Sequence, residues 1–247
     1  DFSIADKIIH TGDTNTALRF PAADTITAET GGSERLRIDS NGNIGINDTG
    51  AANFTGYTNV SIHGSTGGAI TFGDDGTDEW EIYAGDGSVR VYDRTNTTER
   101  IRIDDNGRLL IGTTTEGHTN GDDLTIATSG GTGITLRSGT SDVGSIFFSD
   151  GTSGADEYQG LVQYDHANSY MRFYTSGSEK VRITSDPNLM INTTTAEITA
   201  GIGVMVASDT GARIKLCDSD LGVDSASGYE MIVSNNGTAY LWNRENT

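Results

Sequence analysis

The stretch "ERLRIDSNGNIGIN" (residues 34–47) holds two alternating segments on either side of a turn dipeptide, Asn41-Gly42. Before and after that dipeptide, apolar side chains occupy every second position, which is the pattern of strands with one apolar face. Asn and Gly both tolerate the positive φ that a type I′ turn requires, so the dipeptide predicts a two-residue hairpin. We therefore expect an antiparallel hairpin as the basic structural unit.

Variants of this phrase occur twice more. "ERIRIDDNGRLLIGTTT" begins at Glu99, 65 residues after Glu34, and "EKVRITSDPNLMINTTT" begins at Glu179, 80 residues further on. The third phrase replaces Asn-Gly by Asp186-Pro187-Asn188, which favours a type I or II turn. A hairpin that survives a change of turn chemistry indicates a repeated structural unit.

The segments between the phrases also correspond in their order of short apolar strands, glycine-rich turns and aromatic strands. They divide the chain into four predicted units, 1–47, 48–115, 116–195 and 196–247. The first is a partial unit that ends in the hairpin, and the extra length of the third falls in its loops. The fourth stops before its charged phrase, which by its spacing would begin two residues beyond Thr247. We therefore expect the chain to be a piece of a longer protein or a processed product.

These patterns together predict an all-β fold of short antiparallel strands and hairpins. No long segment has helical periodicity, and β-branched residues and glycines disfavour a helix over 192–206. The few apolar side chains of one hairpin cannot offset the entropy that is lost when the hairpin becomes ordered. Each hairpin must therefore pack against neighbouring units or against identical chains, which would also protect its exposed strand edges.

The formal net charge of the 247-residue chain is −19. Phosphate backbones and anionic lipids repel such a chain, which argues against nucleic acid and membrane partners. No run of 18 apolar residues is present to cross a bilayer. The four histidines lack ligand spacing, and no phosphate-binding or nucleophile-elbow motif occurs. We therefore expect no metal, no cofactor and no enzymatic activity.

The charged residues of the three phrases are the first candidate functional set. The same signs recur at the same places, as interchain salt bridges that fix the register between protomers would require. The alternative is a solvated strand face, on which an exposed ion pair contributes at most about 1 kcal/mol. The candidates for interchain register are Glu34, Arg35, Arg37, Glu99, Arg100, Arg102, Glu179 and Arg182.

Three acidic loops, 73–80, 149–158 and 217–230, form the second set. Each pairs carboxylates with an aromatic side chain, and such groups can bind a sugar through its hydroxyls and its C–H face. Two carboxylates could also serve a glycosidase or hold Ca²⁺, although no loop has the spacing of a calcium hand. The structural alternative is an Asp/Gly turn that leads into a core aromatic residue. The ligand-binding candidates are Asp78, Glu79, Trp80, Asp156, Glu157, Tyr158, Tyr229 and Glu230.

The segment "DKIIHTGDTNTALRFPAADTITAETGGSERLRIDSNGNIGI" (7–46) and the three E-[RK]-x-R-I phrases resemble the repeat regions of tail-fibre and related virion appendage proteins of marine and cyanobacterial phages. In that family, "ERMRIDSSGNVGIGTT"-like phrases recur upstream of a self-cleaving C-terminal chaperone module. The resemblance implies an elongated, repeat-containing fibre, an intertwined homotrimer carried on a virus particle and serving host cell adhesion. These 247 residues contain no such chaperone module, so autoproteolysis is not expected of them.

Two functions from different classes follow from these observations. In the first, the chain is a passive structural segment of a virion tail fibre that presents a host receptor-binding region, with further copies of itself and other tail proteins as partners. In the second, the Asp/aromatic loops bind or trim a host surface glycan. A bacterial surface adhesin with similar β-repeats, located outside the cell, is a third alternative. Repetition favours the first, because each added unit extends a spacer whereas a binding site needs no repetition.

Overall fold

The structure is a computed structural model, which describes residues 3–50, 57–73, 78–186, 188–194, 203–209, 211–216, 229–234 and 236–243. About half of the chain is in strands, and the described residues contain one 3₁₀ helix, Gly154–Tyr158, and no α-helix. The predicted all-β class is confirmed. The chain divides into two units, Asp1–Gly133 and Ile134–Thr247, and each contains two sheets.

The first unit contains two six-stranded sheets. The first sheet consists of β1 (Lys7–His10), β2 (Asp13–Arg19), β3 (Ile26–Thr30), β4 (Ser33–Ile38), β5 (Ile44–Ile46) and β6 (Val60–Ile62). The second sheet consists of β7 (Gly68–Gly73), β8 (Glu79–Gly85), β9 (Ser88–Asp93), β10 (Thr98–Ile103), β11 (Leu109–Ile111) and β12 (Leu124–Ile126).

The second unit contains a six-stranded and a three-stranded sheet. The third sheet consists of β13 (Val143–Phe148), β14 (Gly160–Asp165), β15 (Tyr170–Thr175), β16 (Ser178–Ile183), β17 (Leu189–Ile191) and β18 (Val204–Val206). The fourth sheet consists of β19 (Ala212–Leu216), β20 (Tyr229–Val233) and β21 (Ala239–Asn243).

The three six-stranded sheets share one strand order and one pattern of pairing. Their first five strands are antiparallel neighbours in sequence order, as expected of successive hairpins. The sixth strand pairs in parallel with the fifth, so that Ile44 of β5 lies beside Val60 of β6, and β12 and β18 repeat this. A parallel neighbour requires a long crossover, which the segment 47–59 supplies in the first sheet. Alternation carries no information on strand direction, so the sequence predicted hairpins only.

The sequence boundaries at 47/48, 115/116 and 195/196 all fall within these crossovers. The sixth strand of each sheet therefore joins the charged phrase that precedes it in the chain. The strand pairing instead divides the chain after β6 and after β12, where the next sheet begins with a new antiparallel series.

The hairpin at Asn41-Gly42 forms, but the predicted type I′ turn is wrong. Gly42 has a φ of 82°, whereas Asn41 does not have a positive φ. The N–H of Gly42 donates to the carbonyl of Asp39 at 2.9 Å, which makes a type I turn closed by a left-handed glycine. The carboxylate of Asp39 favours this turn because it accepts the N–H groups of Asn41 and Asn43. Pro187, in the third phrase, lies outside the described residues.

Among the described residues, type I′ turns occur at three other places. They join β3 to β4 at Gly31-Gly32, β8 to β9 at Asp86-Gly87 and β15 to β16 at Ser176-Gly177. Both residues of each pair have a positive φ. The twist of this turn matches that of the flanking strands, so these pairs set the register of their hairpins.

A buried amide positions the parallel strand. Asn43 is fully buried, and its Oδ1 accepts the backbone N–H of Asn59, immediately before β6, at 2.9 Å. In the third sheet, Asn188 accepts the N–H of Gly203 at the same distance. Arg108 takes this place in the second sheet and binds Asp122. The sequence analysis missed this role, because nothing local marks one Asn of an Asn-rich chain as buried.

Candidate interchain surface and ligand sites

A β-bulge in the charged phrase places Glu34 and Arg37 on the same face of β4. Opposite β3, one residue is left over between Glu34 and Leu36, and this extra residue is Arg35. In a regular strand, residues three apart would point to opposite faces. The bulge corrects this, so the spacing of the phrase E-[RK]-x-R has a structural cause.

The same bulge recurs at Arg100 in β10 and at Lys180 in β16. In the first sheet, Arg37 donates two hydrogen bonds to the carboxylate of Glu34, at 2.6 and 2.7 Å. Equivalent bidentate pairs of 2.6 to 2.8 Å join Arg102 to Glu99 and Arg182 to Glu179. In all three, the hydrogen-bonded glutamate raises the pKa of the arginine. The structure thus pairs these candidates within one strand of one chain, and their interchain role stays a prediction.

The bulged arginines bind to neighbouring turns. Arg35 is exposed and donates to Thr30 Oγ1 at 3.2 Å and to Asn47 Oδ1 at 3.3 Å. Arg100 donates to the carboxylate of Asp93 at 2.5 Å. This bond, with the N–H of Asn96, lowers the pKa of Asp93 to about 2. Both arginines therefore hold turns of their own sheet.

The face that carries the Glu–Arg pairs is the covered face of each sheet. Thr27 and Leu110 are each 1% exposed there, and Met190 is fully buried. A Cβ on Gly45 would lie only 2.3 Å from the carbonyl oxygen of Asp48. The start of the crossover, at Asp48, therefore lies directly against this face.

Guanidinium groups and tyrosine rings extend this covered face in the second and third sheets. The Arg90 guanidinium lies 5.1 Å from the ring centroid of Tyr83 and donates to its hydroxyl at 2.7 Å. The Arg182 guanidinium lies 4.1 Å from the ring centroid of Tyr170. Long arginine side chains can cover neighbouring surface in this way while their charge remains paired.

The opposite face of each sheet is apolar and open. Leu36 and Ile38 lie on this face in β4 and are 40% and 37% exposed. Leu36 belongs to a row of apolar residues that lie opposite one another in neighbouring strands across the whole first sheet. The row contains Ile8, Leu18, Ala28, Leu36, Ile46 and Ile62. A second row contains Ile26, Ile38, Ile44 and Val60. We call this surface the open apolar face.

The other sheets have the same open apolar face. In the second sheet, one row contains Ile70, Ile82, Val91, Ile101, Ile111 and Ile126. In the third sheet, one row contains Ile146, Val162, Phe173, Val181, Ile191 and Val206. The fourth sheet contributes Ile214, Met231 and Leu241. Every described sheet therefore leaves its aliphatic side uncovered.

The exposed area of the chain is correspondingly large. The chain exposes 17136 Å². Two compact domains, each with half of the 26.1 kDa mass, would together expose about 13,000 Å². The chain thus exposes roughly 4,000 Å² more than two compact domains would. This difference includes polar as well as apolar surface, and the uncovered apolar rows contribute to it.

The first acidic loop does not gather its candidate side chains on one face. Residues 74–77 of this loop lie outside the described residues. Asp78 is exposed, and Glu79 begins β8 and is half-buried. Trp80 is 44% exposed and lies opposite Phe72 at one end of the open apolar face. Since successive strand residues point to opposite faces, the Glu79 carboxylate and the Trp80 ring diverge.

The second acidic loop forms the 3₁₀ helix ahead of β14. Asp156 and Glu157 are exposed on it. Tyr158 packs over Gly177 of the β15–β16 turn, where a Cβ would lie 3.4 Å from the ring. This ring therefore lies against the end of a hairpin, and not at the start of a strand as in the first loop.

Only the end of the third acidic loop is described, since 217–228 lie outside the described residues. Tyr229 begins β20 and is 49% exposed. Glu230 follows it on the opposite face, is 5% exposed and lies beside Lys215 of β19. Tyr229, like Trp80, thus belongs to the open apolar face.

Ser61, His63 and Asp48 form a cluster that the sequence analysis did not identify. Ser61 Oγ donates to Asp48 Oδ2 at 2.5 Å and lies 3.3 Å from His63 Nε2. In an acyl-transfer triad the histidine stands between the serine and the aspartate. Here the aspartate binds the serine directly, which lowers the pKa of Asp48 and fastens the crossover to β6. The cluster is therefore a structural clamp that holds the start of the crossover to β6, and no sequence motif predicts it.

No group of three or more His, Cys, Asp or Glu side chains that could hold a metal ion occurs among the described residues. Within the same residues, no helix has the length and apolar character needed to cross a membrane.

Comparison with known proteins gives no family assignment. No protein-family model matches the chain, and no curated protein sequence matches it.

Proposed function

We propose that the chain is a structural segment of a virion tail fibre, in which three copies pack their open apolar faces together and extend or present a host receptor-binding region. The observation that carries this proposal is the contrast between the two faces of each sheet. Charged side chains lie on the covered face, while rows of Ile, Leu and Val remain exposed. A soluble chain of this kind needs a partner for each apolar face.

Further copies of the chain are the partner that best fits this surface. The same rows recur in the first, second and third sheets, and a symmetric assembly covers a recurring surface by repeating one contact. The net charge of −19 disfavours anionic lipid as the covering. The shared strand order of the three large sheets supports the repeated unit of a fibre.

In this assembly the Glu–Arg pairs have an intrachain role. They lie on the face that the chain covers for itself, and their bidentate bonds hold each bulge in shape. The bulge in turn keeps Leu36 and Ile38 on the open apolar face. The charged phrase therefore recurs because each six-stranded sheet needs the same bulge.

A glycan-binding role would require the aromatic residues of the acidic loops to be exposed in the assembly. Trp80 and Tyr229 would have to remain accessible, whereas the trimer covers them. A glycan array separates the two functions. Saturable binding that is abolished by Trp80→Ala, with the assembly unchanged, would favour the glycan role.

Light scattering tests the proposed assembly directly. We expect a mass of about 78 kDa, three times the 26.1 kDa of the chain. The mass should not fall on dilution to nanomolar concentration, because an obligate interface dissociates little. A stable, well-folded species of about 26 kDa would contradict the proposal.

A further inference from the structure

An apolar cleft of about 550 Å³ lies between the first and second sheets, where β6 approaches β7 and β8. On the second sheet its wall contains the small residues Gly68 and Ala84 together with Ile70 and Ile82, and Val60 and Ile62 line it from β6. A Cβ on Gly68 would lie only 1.8 Å from the carbonyl oxygen of Ile62. Glycine at this position therefore allows the backbone of β6 to approach the second sheet closely.

The second unit has a cleft at the equivalent place. This cleft of about 220 Å³ lies between β18 and the three strands of the fourth sheet. Val204 and Val206 line one side of it, and Ala212 and Ala239 contribute small side chains to the other. Both clefts adjoin the open apolar face of the following sheet.

Large side chains lie at the far end of the same strands. In β7 and β8, Phe72 and Trp80 are 56% and 44% exposed. In β19 and β20, Leu216 and Tyr229 are 66% and 49% exposed. The strand pairs β7–β8 and β19–β20 thus each have a wide end of large residues and a narrow end beside the cleft, where Gly68 and Ala84, or Ala212, lie.

A chain cannot fill its cleft with its own large residues. Phe72 follows Gly68 by four residues in one strand, a distance of about 13 Å. The strand fixes this separation. Another copy of the chain, related by rotation, can bring its wide end to the narrow end of the first.

The geometry points to a head-to-tail interlock, in which Phe72 and Trp80 of one copy enter the cleft beside Gly68 and Ala84 of the next. This inference rests on the proposed assembly of three copies. A heterologous contact of this type closes into a ring when the rotation is one third of a turn. The larger cleft adjoins the second sheet, which carries Phe72 and Trp80. The smaller cleft adjoins the fourth sheet, which carries Leu216 and Tyr229. Trp80 is then an interface anchor, a role for which tryptophan is well suited.

Disulfide trapping tests the interlock in a Cys217→Ser background, which removes the sole cysteine. We expect Phe72→Cys/Ala84→Cys to form disulfide-linked trimers on a non-reducing gel after mild oxidation. The two positions lie on neighbouring strands but are offset by four residues, beyond the roughly 7 Å over which a disulfide can form within one chain. The matched control is Thr71→Cys/Asp86→Cys, at the same two ends of the strands but outside the open apolar face. It should give no linked species.

The outcomes separate the interlock from the trimer itself. A trimer by light scattering with no linked species above the control would overturn the interlock and leave the assembly standing. Linked dimers without trimers would also overturn it, because they indicate an isologous contact. A monomeric Cys217→Ser protein would overturn the proposed function. If the first pair prevents folding, Tyr229→Cys/Ala212→Cys repeats the test in the fourth sheet with the same offset.

Discussion

On one face of the first sheet, Thr27 is 1% exposed and lies opposite the paired Arg37; on the other, Leu36 is 40% exposed. The usual arrangement is the reverse, since charged residues are rarely buried unless paired. The chain thus covers for itself the face that needs many specific hydrogen bonds. The face that needs only apolar contact remains for another molecule. The two faces therefore differ in what covers them: the same chain covers the polar face, and the open apolar face is left for another molecule. Substitutions on each face test this difference separately.

The largest effect should come from placing a charge on the open apolar face. We expect Ile70→Lys to reduce the mass in solution from about 78 to about 26 kDa, because three unpaired ammonium groups would have to be buried together. Thr71→Lys is the matched control: it follows Ile70 in β7, is also exposed and lies opposite Glu81. Light scattering measures both. Equal masses for the two variants would remove the distinction between the faces.

The next effect concerns the buried polar atoms on the covered side. We expect Asn43→Leu to lower the free energy of unfolding by about 1–3 kcal/mol, because the backbone N–H of Asn59 loses the acceptor it has at 2.9 Å. Asn41→Leu is the control, since Asn41 is exposed in the same turn. Denaturant unfolding followed by circular dichroism compares them. Similar midpoints would show that this amide does not hold the parallel strand.

A smaller effect is expected from the charged phrase itself. We expect Arg37→Met to cost about 1–2 kcal/mol, because it removes two charge-assisted hydrogen bonds from the half-buried Glu34. Arg35→Met, two residues away at the bulge, should cost less than about 1 kcal/mol. The trimer mass should be unchanged in both. Dissociation of the trimer by Arg37→Met at full secondary structure would instead support the interchain role predicted from the sequence.

The smallest effect concerns acid. The pKa of Asp93 is lowered to about 2 in the folded protein, below the value of about 3.9 for an unfolded chain. Its carboxylate therefore contributes stability that is complete above about pH 5 and is lost as the pH falls toward 2. We expect Asp93→Asn to be less stable than the wild type at pH 7 and to show a shallower decline between these values. Parallel declines in the two proteins would contradict this.

Much of this architecture follows from period-two alternation. The alternating residues of the charged phrase correctly predicted β4 and β5 and the apolar character of Leu36 and Ile38. The turn type was wrong because the Asp39 carboxylate, which lies outside the Asn-Gly dipeptide, selects a longer loop. The bulge at Arg35 was missed because a bulge is visible only against its partner strand.

The candidate sites were less predictable than the strands. The spacing of carboxylates and aromatics around Trp80 and Tyr229 predicted shared sites, but alternation within a strand sends neighbouring side chains to opposite faces. The partner of Glu34 was three residues away in its own strand, and the clamp of Ser61 and Asp48 joins positions 13 residues apart. The contact between Ser61 and Asp48 depends on the path of the crossover, which the local sequence does not encode.

The sequence by itself determined that the chain forms short strands with one apolar and one polar face, because the side-chain direction in a strand follows from the backbone geometry of each residue. Only the tertiary structure decided which face is covered. That choice depends on which segments meet on each side of the sheet: on the polar side, Asp48 lies against Gly45 and accepts a hydrogen bond from Ser61 of β6. Coverage is a property of distant segments that meet in space, whereas alternation is a property of neighbours along the chain.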